Sequence, residues 1–353
     1  MRRIELPSLA RRLLMVTFVM MFGGLAGSVG GAAAGQRTAA PPAAELATIR
    51  QLLLAPEASI DLLRVKLAID RMIDPATDEK VIRAKVDDIT RRVLALVQAK
   101  ATDMQKLEAL SAFLYDPGPW NGGQVYRYDL DGDPLGRDLS NKLLTKYLAT
   151  RRGNCVSMPV LFVIVGQRLG LPVTLARAPQ HLFVKYRTRD GGYLNIETTD
   201  RAQPAPDEWY IRTNEIAPAA VKNGLFLRPL TKREAAVQIV STYVEHLTRQ
   251  RDYRRLHPLL DLLMQYDARD SNLMLAKGNA YTMELSEKFA RWQRPDEVPA
   301  ELRGELFRLR DANLSWYSKA EALGWTQPSE ELIKRLDGAA LKAAQPRSNK
   351  GTQ

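Results

Sequence analysis

Three residues in this chain have types and spacing that could do chemistry together: Cys155, His181 and Glu197. Cys155 is the only cysteine among 353 residues, and His181 is one of three histidines. A thiol is a useful nucleophile as its anion, which a helix N-terminus and a nearby imidazolium both favour. Cys155 stands in "RRGNCVSMPVLFVIVGQRLG", residues 151–170. There Gly153-Asn154 reads as a turn and cap, an apolar helix follows, and Pro159 fits its first turn. A lone cysteine cannot close an internal disulfide, so it is either a buried, inert residue or one kept for its reactivity. His246 and His257 fall in helical segments near the C-terminus. His181 opens an alternating strand directly after "RAPQ", in the same compact segment as Cys155.

A carboxylate or amide is needed to orient such a histidine, and Glu197 and Asn195 compete for the role. Side chains alternate along a strand, so 181, 183 and 185 share one face, and 193, 195 and 197 share one face of the next. A two-residue turn at Asp190-Gly191 would pair 184 with 197 and put Glu197 on the wrong side. A three-residue loop, Arg189-Asp190-Gly191, pairs 183 with 197 and sets Glu197 diagonal to His181 on one face. Such loops favour glycine at their last position, which Gly191 fills.

The elements that must hold these residues follow from pattern. Residues 44–115 read as helices: Val86, Ile89, Val93 and Leu96 recur at helical spacing, and Thr77 or Asp78 would cap their helix. Residues 116–138, "DPGPWNGGQVYRYDLDGDPLGRD", are loop. Asp129, Asp131 and Asp133 in that loop raise a calcium reading. Pro134 and Ser140 stand where an EF-hand needs glycine and glutamate, so turn chemistry accounts for the aspartates and no metal is expected. Residues 139–150 form a short helix, "GLP" at 170–172 ends the apolar helix, and strands are expected at 173–177, 181–187 and 193–199, with "TRDGG" as a hairpin signal.

At the N-terminus, Arg2, Arg3, Arg11 and Arg12 precede an apolar run, Leu13 to Leu25, and small residues ending at Ala34. That is the layout of a secretory signal over residues 1–34, with cleavage before Gly35, rather than of a spanning anchor. A periplasmic or secreted protein is therefore expected, and contact with membrane only if the segment stays uncleaved. The net charge is +11, or +8 once residues 1–34 are gone (47 basic against 39 acidic). The basic residues are scattered rather than clustered with aromatics, so nucleic acid is not a partner. Residues 35–43 form a linker.

"GNCVSMP", the apolar helix ending "RLGLP", then "APQHLFVKY" and "NIETT" together resemble the transglutaminase-like superfamily of papain-type cysteine enzymes, and in particular a bacterial branch with a tetratricopeptide-like helical tail. The resemblance covers residues 110–200. It implies an α+β fold whose nucleophile helix packs on a small antiparallel sheet, flanked by helical N-terminal and C-terminal regions. It further implies Cys155 as nucleophile, His181 as general base and acid, and Glu197 as orienting carboxylate, where the family usually has Asp. The chemistry would be acyl transfer on an amide, in first place a peptide bond, through a thioester and without a cofactor. The Cys155 backbone N–H and a side chain from Asn141, Asn154 or Gln180 would hold the oxyanion.

The expected layout is then a helical region over 44–115, the catalytic core over 116–230, a helical tail over 231–325, and a short helix with an unstructured end over 326–353. Within the tail, "NLMLAKGNAYTMELSEKF" at 272–289 and "ANLSWYSKAEALGW" at 312–325 resemble the two helices of one interrupted tetratricopeptide repeat. Too few repeats are present for a free solenoid, so the tail either packs on the core or offers a groove to a protein partner. The competing class is a non-catalytic envelope scaffold that binds through residues 231–325; a peptide or protein substrate is the partner of the enzyme reading.

Overall fold

A computed structural model describes residues 42–345. The signal-like segment 1–34, most of the linker and residues 346–353 lie outside the described residues. The first helix, α1 (Pro42–Leu54), begins inside the segment read as linker. It is followed by α2 (Leu62–Ile73), α3 (Glu79–Leu94) and α4 (Asp103–Tyr115). Each start is built from local chemistry. Asp61 and Asp78 accept from the backbone N–H groups that α2 and α3 leave open, and Thr102 with Gln105 forms a reciprocal cap on α4. Asp78, not Thr77, is therefore the cap of α3. Val86, Ile89 and Val93 are buried along it, whereas Leu96 lies beyond its end and is exposed.

The loop after α4 carries the two-residue strand β1 (Arg127–Tyr128). Helix α5 (Leu144–Thr150) leads to β2 (Arg152–Gly153), which pairs with β1 in parallel. Helix α6 (Ser157–Arg168) is buried from Ser157 to Gly166. Its apolar surface has no polar face because it is enclosed: β3 and β4 lie on one side and α3, α4 and α5 around the rest. Its packing is worth much of the fold; Phe162→Ala alone is expected to cost about 3–5 kcal/mol.

The sheet has the order β3 (Val173–Ala178), β4 (His181–Arg187), β5 (Tyr193–Glu197) and β6 (Gln203–Pro204), all antiparallel. Strand β5 stops at Glu197 rather than running to 199, because the Glu197 carboxylate accepts from the Thr199 N–H and turns the chain into a 3-10 turn over Thr198–Asp200.

Helices α7 (Asp207–Asn214) and α8 (Pro218–Lys222) lead to the C-terminal region of α9 (Lys232–Arg249), α10 (Tyr253–Met264), α11 (Ser271–Phe289), α12 (Ala300–Ala322) and α13 (Glu330–Ala344). Helix α12 begins well before the 312–325 segment read from the sequence, and α13 runs to Ala344, into the stretch expected to be unstructured. Gly278 lets the Tyr317 ring lie against α11, where Asn313 donates to the Gly278 carbonyl at 2.9 Å. The helices before the site and those after it meet: α2 packs on α9, and one buried apolar cluster runs from Ile49 through α6 to Ala280. The molecule is thus α+β, a small antiparallel sheet with its buried helix, flanked by helices on both sides.

Candidate active site

Cys155 lies two residues before α6, on the turn that opens it. Asn154 builds this turn. Its Oδ1 accepts from the N–H groups of Val156 and Ser157 at 3.0 and 3.4 Å, and its own N–H donates to Ser157 Oγ at 3.1 Å. Ser157 Oγ in turn donates to the Asn141 carbonyl at 2.6 Å. Gly153 is required here: a Cβ would sit 2.3 Å from Ser157 Oγ and 2.6 Å from the Tyr147 ring. The thiol is free and partly exposed, with its sulfur 3.9 Å from the Gln180 carbonyl.

His181 comes from the sheet. Ala178 pairs with His181 across the two-residue turn Pro179-Gln180, in which Gln180 takes the left-handed backbone conformation (φ 54°). Such a conformation in a non-glycine residue stores strain, and strained turns gather at functional sites. The β4–β5 register pairs Val184 with Ile196 and Lys185 with Asn195, and Thr188 N donates to the Gly192 carbonyl at 3.0 Å. The loop is therefore Arg189-Asp190-Gly191, with Gly191 at φ 88°. This register brings Glu197 onto the face of His181, and His181 Nε2 lies 2.7 Å from Glu197 Oε2.

Both carboxylate oxygens are fully engaged. Oε1 accepts from Thr199 N at 3.0 Å and Thr199 Oγ1 at 2.6 Å; Oε2 is shared by His181 and the Tyr210 hydroxyl, the latter at 2.8 Å. Burial opposes charge on both partners. It acts on His181, but the Glu197 carboxylate, hydrogen bonding to Cys155 and the bond to Glu197 outweigh it, and the imidazole is pushed up to about 10. Burial also acts on Glu197, yet the His181 charge and the hydrogen bonds from His181 and Thr199 hold its carboxyl down at about 2. With Nε2 held by Glu197, the other ring nitrogen is the one free for the Cys155 sulfur.

A thiol at a helix start, a histidine opening a strand and a carboxylate on the next strand are thus one cluster. Residues 80–241 match the family model of the transglutaminase-like superfamily. Residues 80–241 are thus a transglutaminase-like domain. Members of that superfamily are generally cysteine enzymes, and some are inactive. No curated protein matches the chain, and no solved structure does.

Within the transglutaminase-like domain the rival orienting group is occupied elsewhere. Asn195 accepts from Lys185 Nζ at 2.7 Å and donates to the Ala205 carbonyl at 2.8 Å and to Asp207 at 2.6 Å. The three side chains considered for the oxyanion differ sharply. Asn141 is buried and donates to Asp129 and Asp133 at 3.2 and 3.0 Å. Asn154 is buried with its Oδ1 spent on the turn. Gln180 is exposed beside the thiol. The Asp129 and Asp133 oxygens also take backbone donors from Gly132, Arg137 and Asp138, while Asp131 pairs with Arg152 at 2.7 Å. The bonds from Gly132, Arg137 and Asp138 are local turn contacts. His246 and His257 sit in α9 and α10, where Gln250 and Glu284 are their neighbours.

Three contributors were not read from the sequence: Ser157, Thr199 and Tyr210. Ser157 and Thr199 lie two residues from Cys155 and Glu197, so a local Asx-type turn search could have found them. Tyr210 carries no comparable signal.

Proposed function

We propose that this protein is an exported cysteine-dependent acyl-transfer enzyme that acts on amide bonds, in first place those of peptides, with Cys155, His181 and Glu197 as its triad. The observation that carries the reading is the 2.7 Å contact of His181 Nε2 with Glu197 Oε2, made by a ring whose ionisation also responds to the Cys155 thiol. The Cys155 thiolate attacks the carbonyl carbon and forms the S–C bond. The oxyanion is held by the Cys155 backbone N–H. His181 then gives its proton to the leaving nitrogen as the C–N bond breaks, leaving a thioester. Water, losing a proton to His181, attacks the thioester and restores the thiolate; an amine in place of water would give a cross-link. Hydrolysis, by a peptidase or amidase, is the first reading. Among the described residues no helix is long and apolar enough to cross a membrane. Export is read from residues 1–34, and N-terminal sequencing of the mature protein tests it: a start at Gly35 supports it and an intact Met1 in the membrane fraction opposes it.

The chemistry is tested with a peptide bearing an electrophilic carbonyl surrogate. Wild type is expected to be labelled at Cys155 and Cys155→Ala to stay unlabelled. Equal labelling of both would remove the nucleophile.

A further inference from the structure

Glu197 has three side-chain torsions, so a carboxylate at its end must be held if it is to aim a neighbouring ring. Thr199 pins Oε1 with two donors. That leaves the group free to pivot about Oε1 and swing Oε2 away from His181. Among the described residues, the only other donor on Oε2 is the Tyr210 hydroxyl, at 2.8 Å. Its ring is itself immobilised: it is fully buried, it stacks on Phe183 with centroids 4.2 Å apart and planes 20° apart, and it lies 6.1 Å from the His181 ring. It belongs to a buried cluster that also holds Ala176 and Ala178 of β3, Met274 and Leu275 of α11, and Trp325 just beyond α12. The far end of its helix is tied to α13, where Arg335 meets Glu215 at 3.0 Å and the Thr213 carbonyl at 3.1 Å.

We infer that Tyr210 is a positioning residue for the base: its hydroxyl stops the Glu197 carboxylate from pivoting and so keeps His181 aimed at Cys155. The C-terminal helices contribute to the site by setting the Tyr210 ring. The inference rests on the acyl-transfer reading for its consequence in turnover, but not for its geometry. The phenol keeps its proton, because burial and the charges of Glu197 and Asp207 all push its ionisation up, so it remains a donor throughout. The charged or titratable groups around the pair are Cys155 beside His181, Asp207 on the helix of Tyr210, and Tyr115 behind Glu197.

Tyr210→Phe keeps the stacked ring and removes only the donor. Two readouts are taken on the full mature chain. In the first, the His181 ring is titrated by NMR; its midpoint is expected to fall by roughly one pH unit as the ring loses its carboxylate for part of the time. In the second, kcat is expected to fall about tenfold with KM within about twofold, since no substrate contact is lost. A folded Tyr210→Phe whose His181 midpoint is unmoved or raised overturns the inference, because the phenol would then only pack or draw charge from the carboxylate. A lowered midpoint with no thiol chemistry in either protein would sink the acyl-transfer reading and leave the positioning role standing. If Tyr210→Phe does not fold, the hydroxyl proton of Tyr210 in wild type decides. A slowly exchanging resonance that shifts in Glu197→Gln supports the inference, and exchange at the rate of a free phenol overturns it.

Discussion

The two halves of the site are built differently. Around His181 the carboxylate is saturated: both Glu197 oxygens take two donors each, one of them the imidazole itself. On the nucleophile side two buried amide atoms, Asn154 Nδ2 and Asn141 Oδ1, make no hydrogen bond. A buried polar atom left so costs about 1–3 kcal/mol. The imidazole is therefore preorganised by its own contacts, whereas the thiol turn is held in place by what surrounds it.

Each half also has its own brace. Behind the thiol turn, Lys66 pairs with Asp70 inside the core, Lys66 donates to the Lys142 carbonyl at 2.7 Å, and Asp70 accepts from Leu144 N at 2.9 Å. This fixes the chain on both sides of Leu143, close to Asn141 and Ser157. Behind the base, Arg177 of β3 pairs with Asp267, lies 3.1 Å from Asp270, and donates to the Leu225 carbonyl at 3.0 Å. The N-terminal helices thus support the turn of Cys155 and the C-terminal helices support the strands of His181.

The comparison can be broken at several points. The largest effect is expected from Cys155→Ala, which should abolish turnover while leaving the fold intact, because the thiol is partly exposed. Activity of a folded Cys155→Ala above background would end the account. Next is Glu197→Gln, expected to lower turnover by about 10²–10⁴-fold, as loss of the orienting carboxylate does in related triads. If its effect were no larger than that of Asn195→Ala, the two halves would not differ in the way described.

The braces should act on stability. Asp267→Ala takes from buried Arg177 the carboxylate that grips both of its amino groups and leaves it Asp270 alone, and a loss of about 1–3 kcal/mol is expected from denaturant unfolding. Lys66→Met should do the same to Asp70, whose carboxyl burial already pushes up against the pull of Lys66. A loss near zero in either would mean that flank does not brace its half.

The His181–Glu197 pair gives a pH signature of smaller size. The imidazole is raised in the fold, so its contribution is complete below about 6.5 and is lost as pH climbs towards about 10. The carboxyl is lowered, so its contribution is complete above about 4.5 and is lost as pH falls towards about 2. Stability due to the pair is therefore greatest between those ordinary values. Subtracting the pH–stability curve of Glu197→Gln from that of wild type should show a maximum there, and a flat difference would contradict the ion pair. The smallest change belongs to Asn195→Ala, for which turnover within about threefold of wild type is expected because its amide serves Lys185 and Asp207 rather than the histidine.

Much of this arrangement was legible in the residues. The hairpin is the clearest instance: an odd-numbered loop ending in Gly191 follows from turn chemistry, and the side-chain period of two then puts Glu197 beside His181 without further information. The helices before residue 116 were legible because their caps and apolar spacing agree. What escaped depends on contacts between segments. Tyr210 reaches Glu197 only after the chain has turned through Thr198–Asp200 and β6, and no local period links them. The parallel β1–β2 pair is two residues long, too short for alternation to register. The start of α6 at Ser157, just past Cys155, is set by Asn154 and by the Asn141 carbonyl brought in from the preceding loop. The first half of α12 was missed although Leu302, Leu306 and Leu309 recur at helical spacing, because only the later segment, 312–325, resembles a repeat helix.

The central claim is that His181, held by Glu197, activates Cys155. The most direct test is the rate at which a small electrophile alkylates the thiol at pH 7, followed by mass spectrometry in wild type and in His181→Ala. Wild type is expected to react at least about 10²-fold faster, with both proteins labelled alike once unfolded. Equal rates in the folded proteins would mean that the imidazole does not act on the sulfur, and the site would not be an acyl-transfer centre.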